Sequence, residues 1–179
     1  MVDLDASGNR LTGPLPANLF TSLLALEVLD LHANDFIGNI PEIGDYHDTL
    51  AFFAVQDNSL VGNIPDSFAN ATELKHIDIT ANQMTLPFPP RMKEMTSLVS
   101  LHTGINGFTN HPIPDFLASM TNLKEISMKQ NSLTGQIPAF LGGLTNLRIL
   151  DLDFNRLTGS IPPVSWNPLH DFDSNTYEY

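Results

Sequence analysis

The chain contains no cysteine. That excludes disulfides, thiolate metal sites and a cysteine nucleophile. Basic residues are scarce: 8 Lys plus Arg stand against 20 Asp plus Glu, a net charge of −12. So acidic a chain repels nucleic-acid phosphates and anionic lipid surfaces, so no nucleic-acid partner is expected. No apolar run approaches the roughly 18 residues of a membrane-spanning helix, so this chain is not expected to insert into a bilayer. A Ser elbow of the G-x-S-x-G type, a phosphate loop and an H-E-x-x-H zinc motif are all missing from the sequence. The expectation is a protein that is not an enzyme and carries no cofactor. What the chain does have is length, 179 residues, and 42% hydrophobic content, enough to bury a core without covalent staples.

It also repeats. Asn9, Asn34, Asn58, Asn82, Asn106, Asn131 and Asn155 recur at spacings of 25, 24, 24, 24, 25 and 24. Around them lie Leu29-Asp30-Leu31-His32-Ala33-Asn34 and Leu150-Asp151-Leu152-Asp153-Phe154-Asn155. After them come segments such as Leu133-Thr134-Gly135-Gln136-Ile137-Pro138 and Leu157-Thr158-Gly159-Ser160-Ile161-Pro162. The unit reads L-x-x-L-x-L-x-x-N-x-L-x-G-x-I-P and resembles the leucine-rich repeat, in the plant-type subclass of receptor-kinase ectodomains and polygalacturonase-inhibiting proteins. The resemblance implies an α/β leucine-rich-repeat solenoid. It would be a curved right-handed superhelix of seven 24–25-residue units, with a parallel β-sheet on the concave face and short helical turns on the convex side. It would occupy residues 1–163, with 164–179 a C-terminal cap or tail.

Leu29 and Leu31 alternate inward with their outward neighbours, the period of a strand. The asparagines are read as structural, their amides satisfying backbone groups left over where the chain turns. Phe20, Phe68, Phe116 and Phe140 are expected in the core. Departures are also legible: Ile43-Gly44-Asp45-Tyr46-His47 in the second unit, Leu86-Pro87-Phe88-Pro89-Pro90 in the fourth, and one extra residue near Asn110-His111-Pro112 in the fifth. Met1 stands at a repeat leucine place, which leaves no room for an N-terminal cap. The expectation is therefore a piece of a longer array, with a dimer through that end as an option.

The outward strand places form four columns holding eight acids and one lysine. Asp30, His32, Phe52, His76, Asp78, His102, Glu125, Asp151 and Asp153 are the candidate binding residues. The predicted surface attracts a protein or peptide, one of basic character. Phe52, Ile105, Ile149 and Phe154 supply apolar anchors. His76, Asp78 and His102 would make a divalent-metal set only if their side chains converged across about 5–7 Å. Hydrogen-bonded surface histidines are the preferred reading, with no metal. Asn70-Ala71-Thr72 is an N-glycosylation sequon. The family resemblance places the parent protein outside the cell or at its surface. The alternatives are a structural spacer in an adhesive or cell-wall protein, or, less favoured, an ice- or polysaccharide-binding face.

Overall fold

The computed structural model describes residues 2–45, 48–85, 87–164 and 166. Met1, Tyr46, His47 and Leu86, singled out above, and most of the 164–179 cap or tail lie outside the described residues.

Seven three-residue strands build the main sheet: β1 (Asp3–Asp5), β3 (Val28–Asp30), β5 (Phe52–Ala54), β7 (His76–Asp78), β9 (Ser100–His102), β10 (Glu125–Ser127) and β11 (Ile149–Asp151). They pair in that order, all parallel and in unbroken register: Leu4, Leu29, Phe53, Ile77, Leu101, Ile126 and Leu150 stand side by side. From Leu29 to Ile126 this row is fully buried. Leu31, Val55, Ile79, Thr103 and Met128, two residues on, are buried as well. Such a stack removes apolar area from water at about 25 cal/mol per Å², turn after turn. Phe20, Phe53 and Phe68 knit neighbouring coils together, with edge-to-face contacts of 6.0 Å (Phe20–Phe68) and 5.0 Å (Phe53–Phe68). Phe116 and Phe140 are half-buried against the same core.

After each strand the chain turns inward through a left-handed residue. Gly8, Ala33, Asp57, Ala81, Ile105, Gln130 and Phe154 all have φ between 48° and 64°. This is the fourth of the outward columns, and its backbone strain was not expected. In the β-branched Ile105 the left-handed conformation costs on the order of 1–2 kcal/mol.

The next residue is the recurring asparagine, and the structure bears out its role. Asn82 Nδ2 donates to the carbonyls of Val55, Ile79 and Thr80 at 2.9, 3.2 and 3.3 Å, while its Oδ1 accepts the Leu60 N–H at 2.9 Å. Asn34, Asn106 and Asn131 repeat the pattern. Carbonyls are shared between rungs: Val55 O also accepts from Asn58, and Ile79 O from Asn106.

A second sheet follows, which the sequence reading missed. β2 (Thr12–Pro14), β4 (Asp35–Asn39), β6 (Ser59–Gly62) and β8 (Gln83–Met84) pair in parallel in that order. It stops at β8, just before the Pro87–Pro90 departure. There Phe88 packs edge-on against Phe108 and Phe116 instead.

The return turns are short: α1 (Leu19–Ser22) and four 3-10 turns, Asp66–Asn70, Pro90–Glu94, Asp115–Ser119 and Ala139–Gly143. Each 3-10 turn is preceded by a proline, Pro65, Pro89, Pro114 or Pro138. The fixed φ of proline ends the extended segment and enters the turn at no further entropic cost. Trp166 is half-buried against the core.

Candidate functional site

The outer face of the main sheet carries the candidate residues, and the register decides which of them meet. Phe52, His76, Ser100 and Glu125 lie in one row across β5, β7, β9 and β10. Ala54, Asp78, His102 and Ser127 lie in the next row. Five of the nine candidates therefore form one cluster. The Phe52 and His76 rings stack at 4.4 Å and 8°. His76 meets His102 edge-on at 5.6 Å. His102 lies between two carboxylates, with Nδ1 3.5 Å from Asp78 Oδ2 and Nε2 3.3 Å from Glu125 Oε2. Ser100 Oγ, 3.1 Å from His102 Nε2, belongs to the cluster and was not among the candidates. Its buried, cross-strand position beside Glu125 was the available signal.

The two histidines titrate apart. Burial, reinforced by the neighbouring His102 charge, pushes His76 below the ordinary histidine range. The Asp78 side chain, opposed by burial and aided by Glu125, pushes His102 above it. Burial raises Asp78, but hydrogen bonds from His102 and Thr80 outweigh it, leaving the carboxyl below the usual range.

The remaining candidates stand apart from this cluster. His32 Nδ1 lies 2.7 Å from Asp30 Oδ1 as an isolated pair. Asp151 is 3.6 Å from Lys129 Nζ and accepts from Ser127 Oγ at 3.3 Å. Asp153 is exposed at the rim.

One expectation needs correcting. The acids of the second column, Asp5, Asp30, Asp78 and Asp151, are not simply free surface charges. Each accepts the backbone N–H two residues on, from Ser7, His32, Thr80 and Asp153 at 2.9, 3.1, 2.9 and 3.2 Å. These carboxylates close the end of the strand, the local turn chemistry aspartate favours. The side chains of Asp30 and Asp78 are 19% and 15% exposed, so neither is a freely replaceable charge. The columns are not uniformly outward either: Ala54, Ser100 and Gly104 are buried. Ile149 and Phe154 are 50% and 75% exposed, open apolar surface among acids. Asn70, in the return turn, accepts from Arg91 Nη1 through Oδ1 at 3.0 Å.

Short parallel strands, an asparagine ladder and proline-entered returns define a leucine-rich-repeat solenoid. A family profile described as Leucine Rich Repeat matches residues 122–144 and 146–173. Receptor-like protein 35 of Arabidopsis thaliana is 33% identical over 138 residues, 76% of this chain and 14% of that protein. The Arabidopsis receptor kinase HAESA ectodomain, solved with a peptide hormone ligand, superposes with TM-score 0.83 at 32% identity. That match covers 90% of this chain and 27% of that one. A plant ice-binding protein superposes at TM-score 0.70 and 24% identity, over 90% of this chain and 51% of that one, and shares the fold. The chain carries leucine-rich repeats, and the curated relatives it matches are plant receptor-like proteins. It spans less than a fifth of the length of the curated relatives it matches.

Proposed function

We propose that this chain is a non-catalytic recognition module of a receptor-like or inhibitor-like protein, outside the cell or at its surface. Its partner is a protein or peptide of basic character, bound along the outer face of the main sheet. On this reading that face is the concave wall of a seven-unit, right-handed superhelix. The observation that carries the proposal is the make-up of the face. Stacked Phe52 and His76, exposed Ile149 and Phe154, and the carboxylates of Glu125, Asp151 and Asp153 stand on a rigid frame with Lys129 as the one cation of the four columns. Rigid aromatic and apolar anchors supply affinity, and the single-sign charge steers a cationic partner. Solved relatives in complex with peptide ligands support the same reading. A mixed, strongly charged face disfavours ice or a neutral polysaccharide. Asn70 would carry an N-glycan on the return side, away from this face.

The test is a peptide-display selection on the purified chain. Binders should be enriched in Lys and Arg and weaken as salt rises. The double variant Asp153→Lys, Phe154→Ala should lose them, because both residues are exposed and neither supports the core. Glu73→Lys with Asp115→Lys, exposed on the return side, should bind unchanged. Equal loss in both double variants, or retention in the first, would overturn the proposal.

A further inference from the structure

We propose that His76, Asp78 and His102 form a zinc-binding site on the outer face of the main sheet. One ligand atom from each residue, two imidazole nitrogens and a carboxylate oxygen, lies within 4.8 Å of the other two. This is the one such His/Asp/Glu group among the described residues. Strand geometry alone suggested wider separations; the side chains converge.

One separation, between His102 and Asp78, is that of two ligands on a shared cation and longer than a closed charge-assisted hydrogen bond. Zinc bonds of about 2.0–2.2 Å in a tetrahedron set donor atoms roughly 3.4 Å apart. His102 Nδ1 and Asp78 Oδ2 are 3.5 Å apart. A charge-assisted hydrogen bond would close to about 2.7–2.9 Å. The molecule supplies its own contrast: His32 and Asp30, with no third ligand atom among the described residues within 4.8 Å of both, do close to 2.7 Å. Two imidazoles and a carboxylate with a fourth position left for water are a ligand set zinc accepts.

The groups behind the ligands are arranged for the same task. Metal-bound histidines donate their second N–H to a carboxylate or hydroxyl, which fixes ring and tautomer. His102 Nε2 faces Glu125 at 3.3 Å and Ser100 Oγ at 3.1 Å, leaving Nδ1 directed at Asp78. Asp78 Oδ1 is held by the Thr80 N–H at 2.9 Å, leaving Oδ2 as the single ligating oxygen. The His76 ring is braced flat against Phe52. All three ligands stand on paired strands with fixed register, so contracting the triangle needs side-chain rotation only.

The site stands independently of partner binding, and its test uses zinc alone. The untagged chain is titrated calorimetrically with zinc chloride near pH 7.5. The expected result is one zinc per chain at micromolar or tighter affinity. His76→Gln and His102→Gln should each weaken binding at least 50-fold, Glu125→Gln should weaken it about 10-fold, and His32→Gln should leave it unchanged. In the unaltered chain, zinc should shift the ring signals of His76 and His102 in NMR spectra while sparing His32 and His111, a readout that needs no variant to fold. Absence of binding at 100-fold excess zinc overturns the proposal. So does unchanged affinity in both histidine variants, or zinc shifts centred on His32 or His111.

Discussion

Replacing Asn131 by alanine tests the asparagine ladder quantitatively. Asn131 is 7% exposed and makes four hydrogen bonds. Counted singly at about 1 kcal/mol each, they suggest a loss near 4 kcal/mol. The structure argues for less, because all three carbonyls that accept from Asn131 Nδ2 are shared. Thr103 O also accepts from Asn106, Met128 O from Asn155, and Lys129 O from the Ile105 N–H. Each keeps a donor after the substitution. The fourth contact is not shared: the N–H of Phe108, itself buried, faces Asn131 Oδ1 and would be stranded. A stranded buried N–H costs about 1–3 kcal/mol. With weakened carbonyls added, the expected loss is about 2–3 kcal/mol. Asn131→Asp keeps the acceptor but sets a carboxylate against three carbonyl oxygens. It should be worse than alanine at neutral pH and improve relative to it as pH falls, because the folded state then binds the extra proton. Asn9→Ala is the control: Asn9 is exposed and its side chain donates only within its own turn, so its loss should stay within about 0.5 kcal/mol. Urea unfolding and amide exchange at Phe108 measure all three. Equal costs at Asn131 and Asn9, or unchanged exchange at Phe108, would refute the argument.

Two further outcomes are expected. Ring-proton titration should place His102 above and His76 below the ordinary value near 6.5. Asp78→Asn should bring His102 down, and His102→Gln should bring His76 only part of the way up, because burial, the larger cause, remains. The His102 pairing then stabilises the fold below its unfolded titration range and is lost as pH rises through its raised value. His76, neutral when folded, costs stability as pH falls through that range. Separately, a Cβ at Gly142 would come within 2.8 Å of Val164 Cβ, so Gly142→Ala should lift the segment before Trp166. The expected cost is about 1–3 kcal/mol, with a red shift of Trp166 fluorescence, the chain's sole tryptophan. An unshifted spectrum would contradict this packing.

The solenoid was legible because every coil repeats one burial problem, and the same asparagine solves it. The second sheet was not legible, because its strands contain Gly13, Pro14 and Gly38, residues that read as turns. Its end was visible in Leu86-Pro87-Phe88-Pro89-Pro90, where the L-x-G-x-I-P pattern fails. The left-handed column was hidden behind Ile105, Gln130 and Phe154, residue types that say nothing of positive φ; Gly8 at the same register was the only hint. For the candidate site, the columns were readable but the roles were not. The carboxylates of Asp30 and Asp78 turn back to the N–H two residues on, a local bond that periodicity does not report. The meeting of His102 with Glu125 depended on rotamers as well as on register.

The early ending of the second sheet bears on how the molecule yields to force. Through β8 successive coils are stitched along two seams; beyond it, paired strands continue along one, with the Thr109–Ser132 bridge and single backbone bonds such as Thr158 N–H to Gly135 O on the other side. Under load the singly stitched coils should peel first and the doubly stitched ones hold. The histidine cluster spans that change in stiffness: His76 and Asp78 stand on β7, level with the second seam, while His102 and Glu125 stand on strands beyond its end. A ligand gripping all four would brace the softer half against the stiffer one.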